Sequence, residues 1–200
     1  NVAIGWEALK TEDAHGNNVA IGASALATQN AGADGYNVGI GYNAGTAVTT
    51  GTHNTLIGGL AGDAITTANN CIAIGTNALG GNVLADRSIA IGNNALLTHN
   101  VGSSADTYNV AIGHQSQEKT TTGTLNTSVG GYALYANTTA SNNTAIGYSA
   151  LIANTTGAGN TAIGKSALES NTTGADNIAI GRDSMTAATT ADQTISIGHI

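Results

Sequence analysis

A repeat of about 17 residues is the feature of this sequence that most constrains its fold. The motif "NxAIG" or a close variant recurs along the chain, and nine of the eleven intervals between its glycines have the same length. Such a repeat is typical of stacked, solenoid architectures, in which each unit packs on its neighbours. We expect the glycines to make turns, because Gly tolerates backbone angles that other residues avoid. They are Gly5, Gly22, Gly41, Gly58, Gly75, Gly92, Gly113, Gly130, Gly147, Gly164, Gly181 and Gly198.

Two intervals are longer than the rest, those from Gly22 to Gly41 and from Gly92 to Gly113. Their additional residues fall near positions 30–36 and 100–108 and are rich in Gly, Asn, Asp and Ser. This composition predicts loop insertions between otherwise unchanged repeats.

Each motif has the alternation of a short β-strand. The residue before the glycine is Ile or Val, the residue two positions earlier is Val, Ile or Thr, and the position between them is Ala in eight copies. Stacked about 4.8 Å apart, equivalent residues would form ladders along the rod. We expect the aliphatic ladder to fill the interior and the small residues on the other face to let neighbouring chains approach closely. The ladder consists of Ile4, Ile21, Ile40, Ile57, Ile74, Ile91, Ile112, Val129, Ile146, Ile163, Ile180 and Ile197.

The rest of the repeat predicts a second strand and a closing turn. A short apolar segment follows the glycine, usually with Leu as at Leu26 and Leu151, and it is too short for a stable helix. The sequence "NTTG" or a relative then predicts a β-turn in which Asn and Gly supply the unusual backbone angles, as at Asn137, Asn154 and Asn171. We expect the Asn that begins most motifs to stack as a hydrogen-bonded amide ladder.

The predicted fold is therefore all-β, a parallel β-solenoid or β-roll of about twelve coils and roughly 55 Å in length. Residues 1–200 form a single repetitive segment, and because the pattern is cut within a repeat at both ends we expect it to be part of a longer fibre. One coil has few large apolar side chains to bury, so we expect several chains to associate.

Composition argues against several classes of function. The net charge is −7, with no basic stripe to neutralise phosphates, so we expect no nucleic-acid partner. No apolar run is long enough to enter a membrane. The histidines and carboxylates are dispersed over different positions of the repeat, so we predict no metal site, no cofactor and no catalytic activity. The lone Cys71 excludes an intrachain disulfide.

The repeats "NVAIG", "NNVAIGASAL", "NNTAIGYSAL" and "DNIAIGRDSM" resemble those in the head domains of trimeric autotransporter adhesins, and similar units occur in phage tail fibres. The resemblance covers the whole chain, although the repeat is longer than is usual in those heads. It implies a left-handed β-roll, a homotrimer, and an extracellular location on a bacterial cell surface or a virion tail fibre.

On this basis we expect a non-catalytic, adhesive segment of an extracellular trimeric fibre. It would present multivalent surfaces to a host or surface receptor, such as a glycan or a matrix protein. Recognition is expected in the insertions and at the variable position after each glycine, where aromatic side chains would anchor a partner. The candidate contacts are Trp6, Tyr36, Tyr42, Tyr108 and Tyr148.

Two alternatives remain open. Threonine doublets such as Thr138–Thr139 recur, as in ice-binding solenoids, although adjacent strand residues face opposite ways and would not form one flat array. The segment could also be the non-catalytic shaft of a fibre whose enzyme domain lies elsewhere.

Overall fold

The computed structural model describes residues 1–12 and 15–199 and shows a parallel β-solenoid with no helix among them. Twelve three-residue strands stack in chain order into one parallel sheet, and two short strands pair beside it. This confirms the predicted fold class. The strands are β1 (Val2–Ile4), β2 (Val19–Ile21), β3 (Val38–Ile40), β4 (Thr55–Ile57), β5 (Ile72–Ile74), β6 (Ala85–Asp86), β7 (Ile89–Ile91), β8 (Ala105–Asp106), β9 (Val110–Ile112), β10 (Thr127–Val129), β11 (Thr144–Ile146), β12 (Thr161–Ile163), β13 (Ile178–Ile180) and β14 (Ile195–Ile197).

Equivalent residues of successive repeats pair directly across the sheet. Ile4 lies beside Ile21, and Ile21 lies beside Ile40, so the aliphatic residues form a ladder in strict register. The register also holds across both insertions, since Val19 pairs with Val38 and Ile89 pairs with Val110. The additional residues therefore lie between strands without shifting them.

The ladder faces outward, so the prediction that it fills the interior is wrong. Ile112, Val129, Ile146 and Ile163 are each between 36% and 38% exposed, whereas the small residues between the ladder positions are fully buried from Ala20 to Ala179. The Asn before each strand points inward. Since side chains alternate along a strand, the central residue also points inward, and the first and third residues, which include the ladder, point outward. For the same reason the Ala column lies inside the coil and cannot form the predicted contact between chains.

The interior is narrow, and leucines from the segment after the glycine fill it. Leu26, Leu79, Leu96 and Leu134 are fully buried opposite the small residues of the strands. A Cβ atom added to Gly39 would lie 2.7 Å from Cγ of Leu26. The space between the two walls thus admits one large side chain, and the opposite wall must supply Ala or Gly.

One coil exchanges the large and small positions between the walls, and the coil before it has glycine at both positions. The strand position is Leu56 in place of Ala, and the facing positions are Gly45 and Gly62 in place of Leu. Added Cβ atoms on these glycines would lie 2.6 and 2.7 Å from the δ-methyl groups of Leu56. The buried Val48 and Ile65 complete the packing, so the volume of the interior is conserved although its side chains are rearranged.

The segment after the glycine is a run of turns, so the predicted second strand is wrong. Ser24 and Leu26 have φ of 56° and 48°, in the left-handed region that L-residues seldom adopt. Their amides point to neighbouring coils: Ser24 donates to the carbonyl of Trp6 at 2.8 Å, and Leu26 to that of Ala44 at 3.0 Å. Hydrogen bonds between coils therefore hold a backbone that would be strained in isolation.

The asparagines that begin the strands form a buried column. Oδ1 of Asn126 accepts the backbone amide of Asn143 at 2.9 Å, and Nδ2 of Asn143 donates to the carbonyl of Gly157 at 3.0 Å. Each side chain thus links one coil to the next and ties the strand to the closing turn of its own coil. The predicted ladder exists, but its bonds run mainly from amide side chains to backbone.

The asparagines of the closing turn act through their side chains, and the prediction that they supply unusual backbone angles is wrong. Nδ2 of the buried Asn154 donates to the carbonyl of Gly157 at 2.9 Å. The positive φ occurs later, at Asn142 (63°) and Gly159 (72°), immediately before the next strand asparagine. Gly157 is needed for close stacking, since a Cβ there would lie 2.2 Å from the carbonyl oxygen of Gly174.

The motif glycines are fixed by two constraints together. Their φ lies between 127° and 138°, which disfavours any side chain. From Gly5 to Gly181, an added Cβ would lie 2.3 to 2.7 Å from the carbonyl oxygen of the equivalent glycine in the next coil. Only glycine permits this turn at this stacking distance.

The exchanged core predicts a compensating pair of substitutions. Leu56→Ala should cost about 2–5 kcal/mol by opening a cavity, and Gly62→Leu should be destabilising because its side chain meets Leu56. The double variant restores the arrangement of the other coils, so its loss should be at least about 1 kcal/mol smaller than the sum of the single losses. Denaturant unfolding of all three, followed by circular dichroism, measures this coupling.

Gly59→Ala is the matched control, because no atom lies within 4 Å of a Cβ at Gly59 and its φ is not in the left-handed region. We expect this variant to change the free energy of unfolding by less than about 0.5 kcal/mol. Strictly additive losses in the double variant would contradict the proposed exchange of volume.

Candidate functional site

The outer face of the twelve-stranded sheet is the largest uniform surface of the rod. It consists of the first and third residues of β1 to β5, β7 and β9 to β14, and every one of them is Val, Ile or Thr. We call this surface the outer sheet face. The positions are half-buried to exposed in every strand. The strand residues alone cover roughly 10 Å by 53 Å, or about 500 Å², which is near the upper limit for an apolar patch on a monomer.

The residue after each motif glycine borders one edge of the outer sheet face. Three of the predicted contact residues lie here, and all are exposed: Trp6 (71%), Tyr42 (62%) and Tyr148 (55%). They lie on three different coils, so Trp6 and Tyr148 are eight strands apart along the sheet. The structure places these aromatic residues on one edge, but it does not gather all three into one site.

The other two predicted contact residues border the opposite edge, at the ends of the insertions. The ring of Tyr36 stacks on that of His53 with centroids 5.0 Å apart. The hydroxyl of Tyr108 donates to the carboxylate of Asp106 at 3.1 Å, and Asp106 also pairs with Arg87. This carboxylate raises the pKa of the Arg87 guanidinium. Both tyrosines are therefore held by local contacts.

The second insertion is further fixed by backbone pairing. Strand β8, within the insertion, pairs in parallel with β6 of the preceding coil, with Asp86 beside Asp106. The first insertion has no strand, and Ala33 and Asp34 at its tip are exposed. The two insertions lie on the same side of the rod, but only the second is held by strand pairing.

An aromatic cluster on three successive coils was not predicted as a unit. The ring of Tyr132 makes edge-to-face contacts with His114 at 5.4 Å, Tyr148 at 5.8 Å and Tyr135 at 5.9 Å. The ammonium group of Lys119 lies 4.8 Å from the centre of the Tyr135 ring. We call these five residues the aromatic cluster. The sequence contained one signal, since His114, Tyr132 and Tyr148 follow one another at nearly the interval of the repeat.

Two buried titratable groups occupy positions that are asparagine in other coils. Cys71 takes the place of a strand asparagine, and burial raises the pKa of its thiol to about 11, so the thiol is neutral at pH 7. His99 takes the place held by Asn137, Asn154 and Asn171 in later coils. Its Nε2 lies 3.4 Å from Nδ2 of Asn109, and its Nδ1 has no hydrogen-bond partner among the described residues.

Side chains that could bind a metal ion are dispersed over residues 1–12 and 15–199. In that part of the chain, no three His, Cys, Asp or Glu side chains lie close enough to hold a metal ion. The same residues include no helix of the length and hydrophobicity needed to cross a membrane.

No protein-family model, curated protein or solved structure matches this chain. The outer sheet face and the aromatic cluster are therefore the features of the chain that bear on its function.

His99 should make the rod sensitive to acid. Burial lowers the pKa of this imidazole to about 4. Unfolded His titrates near pH 6.5, so the unfolded chain binds this proton first and the folded state loses stability as the pH falls from about 6.5 to about 4. The loss from this residue should be of the order of 3 kcal/mol.

The matched variant is His99→Asn, which carries the side chain of the later coils. Denaturant midpoints of both proteins between pH 4 and pH 7.5 measure the effect: wild type should fall further on acidification, and His99→Asn should lose that additional slope. Parallel pH profiles would show that His99 is not the responsible group.

Proposed function

We propose that this chain is a structural and adhesive segment of an extracellular homotrimeric fibre, in which three rods pack through their outer sheet faces. The observation that carries the proposal is the uninterrupted column of β-branched residues along the whole sheet. Apolar surface of this extent is costly to leave in water, and a stable interface buries about 800 Å² per partner. The strand residues with the bordering column on the insertion side span roughly 15 Å by 53 Å, or about 800 Å².

A second copy of the same chain is the partner that best fits the outer sheet face. The face repeats at every coil, so another copy can meet it with the same spacing between strands. The likeness of the repeats to trimeric adhesin heads favours three copies. In this arrangement the Ala column packs each chain internally, and the Ile ladder packs the chains together.

A rod of this kind suits a mechanical and multivalent role. Three chains would carry each exposed side chain three times, and linked weak sites gain avidity without any new contact. The candidate receptor contacts Trp6, Tyr36, Tyr42, Tyr108 and Tyr148 would border the interface on each chain. In this proposal the segment itself performs no catalysis, and it acts outside the cell, on a bacterial surface or a virion tail fibre.

Sedimentation velocity at micromolar concentration tests the proposal. Wild type should sediment at three times the 19.6 kDa of the chain. Ile91→Asp with Ile146→Asp places two charges on the outer sheet face and should shift the protein towards monomer, because burying an unpaired charge is costly. Thr139→Asp, on the exposed closing turn, should leave the mass unchanged.

Loss of the interface could also unfold the chain, so the milder Ile91→Thr with Ile146→Thr is measured in parallel. Thr already occupies this face in four strands, including Thr127 and Thr144, and should weaken the assembly without introducing charge. A folded, monomeric wild type would contradict the fibre proposal.

Ice binding is favoured by one observation only, that Thr127, Thr144 and Thr161 lie in successive strands of the flat outer face. In four successive doublets, from Thr121 to Thr172, the first threonine is instead used structurally: Thr138 Oγ1, for example, donates to the carbonyl of Thr155 at 3.0 Å. Thermal hysteresis of the wild-type sample separates the two functions, and a fibre segment should show none.

A further inference from the structure

The aromatic residues of this chain are distributed in an unusual way. The sequence has one Trp, six Tyr and no Phe, and none of these side chains is among the buried residues. The core is made of Leu, Ile, Val and Ala instead. The aromatic rings therefore contribute no buried core, although three of the six tyrosines lie together in the aromatic cluster with His114.

The cluster is held by the stacking of the coils beneath it. The amide of Tyr132 donates to the carbonyl of His114 at 2.9 Å, and the amide of Ser149 to that of Gly131 at 3.0 Å. The Tyr148 ring packs over Gly131 of the preceding coil, 3.5 Å from where a Cβ would be. A platform fixed before a ligand arrives loses little further entropy on binding.

The hydroxyl groups of the cluster distinguish it from the two tyrosines at the ends of the insertions. The hydroxyls of Tyr36 and Tyr108 are used locally, on Asp34 and Asp106. Those of Tyr132, Tyr135 and Tyr148 make no hydrogen bond within the described part of the chain, and none of them is a buried unpaired atom. They face solvent beside half-exposed rings and are available to a ligand.

From this geometry we infer that the aromatic cluster is a binding site for a saccharide built of pyranose rings. One face of a pyranose is a sheet of C–H groups, which matches the negative face of an aromatic ring. Its rim carries hydroxyls that pair with phenol and imidazole groups, and these can remain partly hydrated on an open wall. The inference deepens the proposed function, on which it rests, by naming the class of receptor and the residues that contact it.

A protein ligand fits the same surface less well. Binding energy in protein interfaces concentrates in side chains that enter fully desolvated pockets. The cluster is instead a set of rings at steep angles to one another, 87° for His114 with Tyr132 and 80° for Tyr132 with Tyr148. Rings at these angles leave separate faces exposed, and a flat molecule with polar groups at its rim can pack against them.

The test uses the whole chain on an array of neutral and acidic oligosaccharides of glucose, galactose, mannose, N-acetylhexosamines and uronic acids. Wild type should bind at least one class. Titration with that oligosaccharide should show affinity reduced at least tenfold in Tyr132→Ala and in Tyr148→Ala. Tyr148→Phe keeps the ring and should lose less. The control Thr76→Ala changes an exposed residue at the same position of the repeat as Tyr148, away from the aromatic cluster, and should bind within twofold of wild type.

Sedimentation of the same samples separates this inference from the fibre proposal. Tyr132→Ala and Tyr148→Ala should keep the mass of wild type, and a fall in mass would overturn the inference by making the cluster a contact between chains. Wild-type binding to no array member, or equal loss in Thr76→Ala, would also overturn it. So would Tyr148-dependent binding to a collagen peptide in place of a saccharide. A monomeric wild type that still binds a saccharide would overturn only the fibre.

Discussion

Hydrogen bonding from each coil to its neighbours is the interaction on which the rest of this structure depends. The amide of Gly75 donates to the carbonyl of Ile57 at 2.7 Å, and equivalent bonds recur in every coil of the large sheet. A single coil of about 17 residues has neither the apolar area nor the internal bonds to be stable alone. The stability of the rod must therefore come from contacts between coils, and the side chain at each position must be compatible with close stacking of the coils.

This constraint explains the polar side chains that the rod buries. The strand asparagines accept an amide from the next coil and donate to the closing turn of their own, as Asn143 does, so they satisfy backbone groups that no regular strand would reach. It also explains why left-handed residues such as Ser24 and Leu26 are tolerated in the turn segment, since each donates its amide to an adjacent coil. Where Cys71 replaces a strand asparagine, and where His99 replaces a closing-turn asparagine, a buried group with an altered pKa appears.

The narrow interior has a consequence for function. Because leucines from the turn segment occupy the space between the walls, the strand can contribute only a small residue inward, and its large β-branched residues must face outward. Except in β4, each strand of the large sheet from β2 to β13 thus buries its small central residue and turns the larger residues on either side of it outward. That reversal creates the outer sheet face, and with it the surface that we propose to join three chains. The aromatic cluster lies beside this face, where its rings could meet a ligand without interrupting the assembly.

The sequence by itself determined the architecture, because a short, regular repeat with an apolar alternation and an invariant glycine can be satisfied only by stacked coils. It also located the insertions and the asparagine column, since both are properties of position in the repeat. Alternation alone does not say which face of a three-residue strand is inside, and that choice depended on the leucines of the opposite wall. The exchange between Leu56 and Gly62, and the meeting of His114, Tyr132 and Tyr148, likewise depend on how the chain folds back on itself. Only the tertiary structure decided these, because they are set by the distance between walls and the offset between coils.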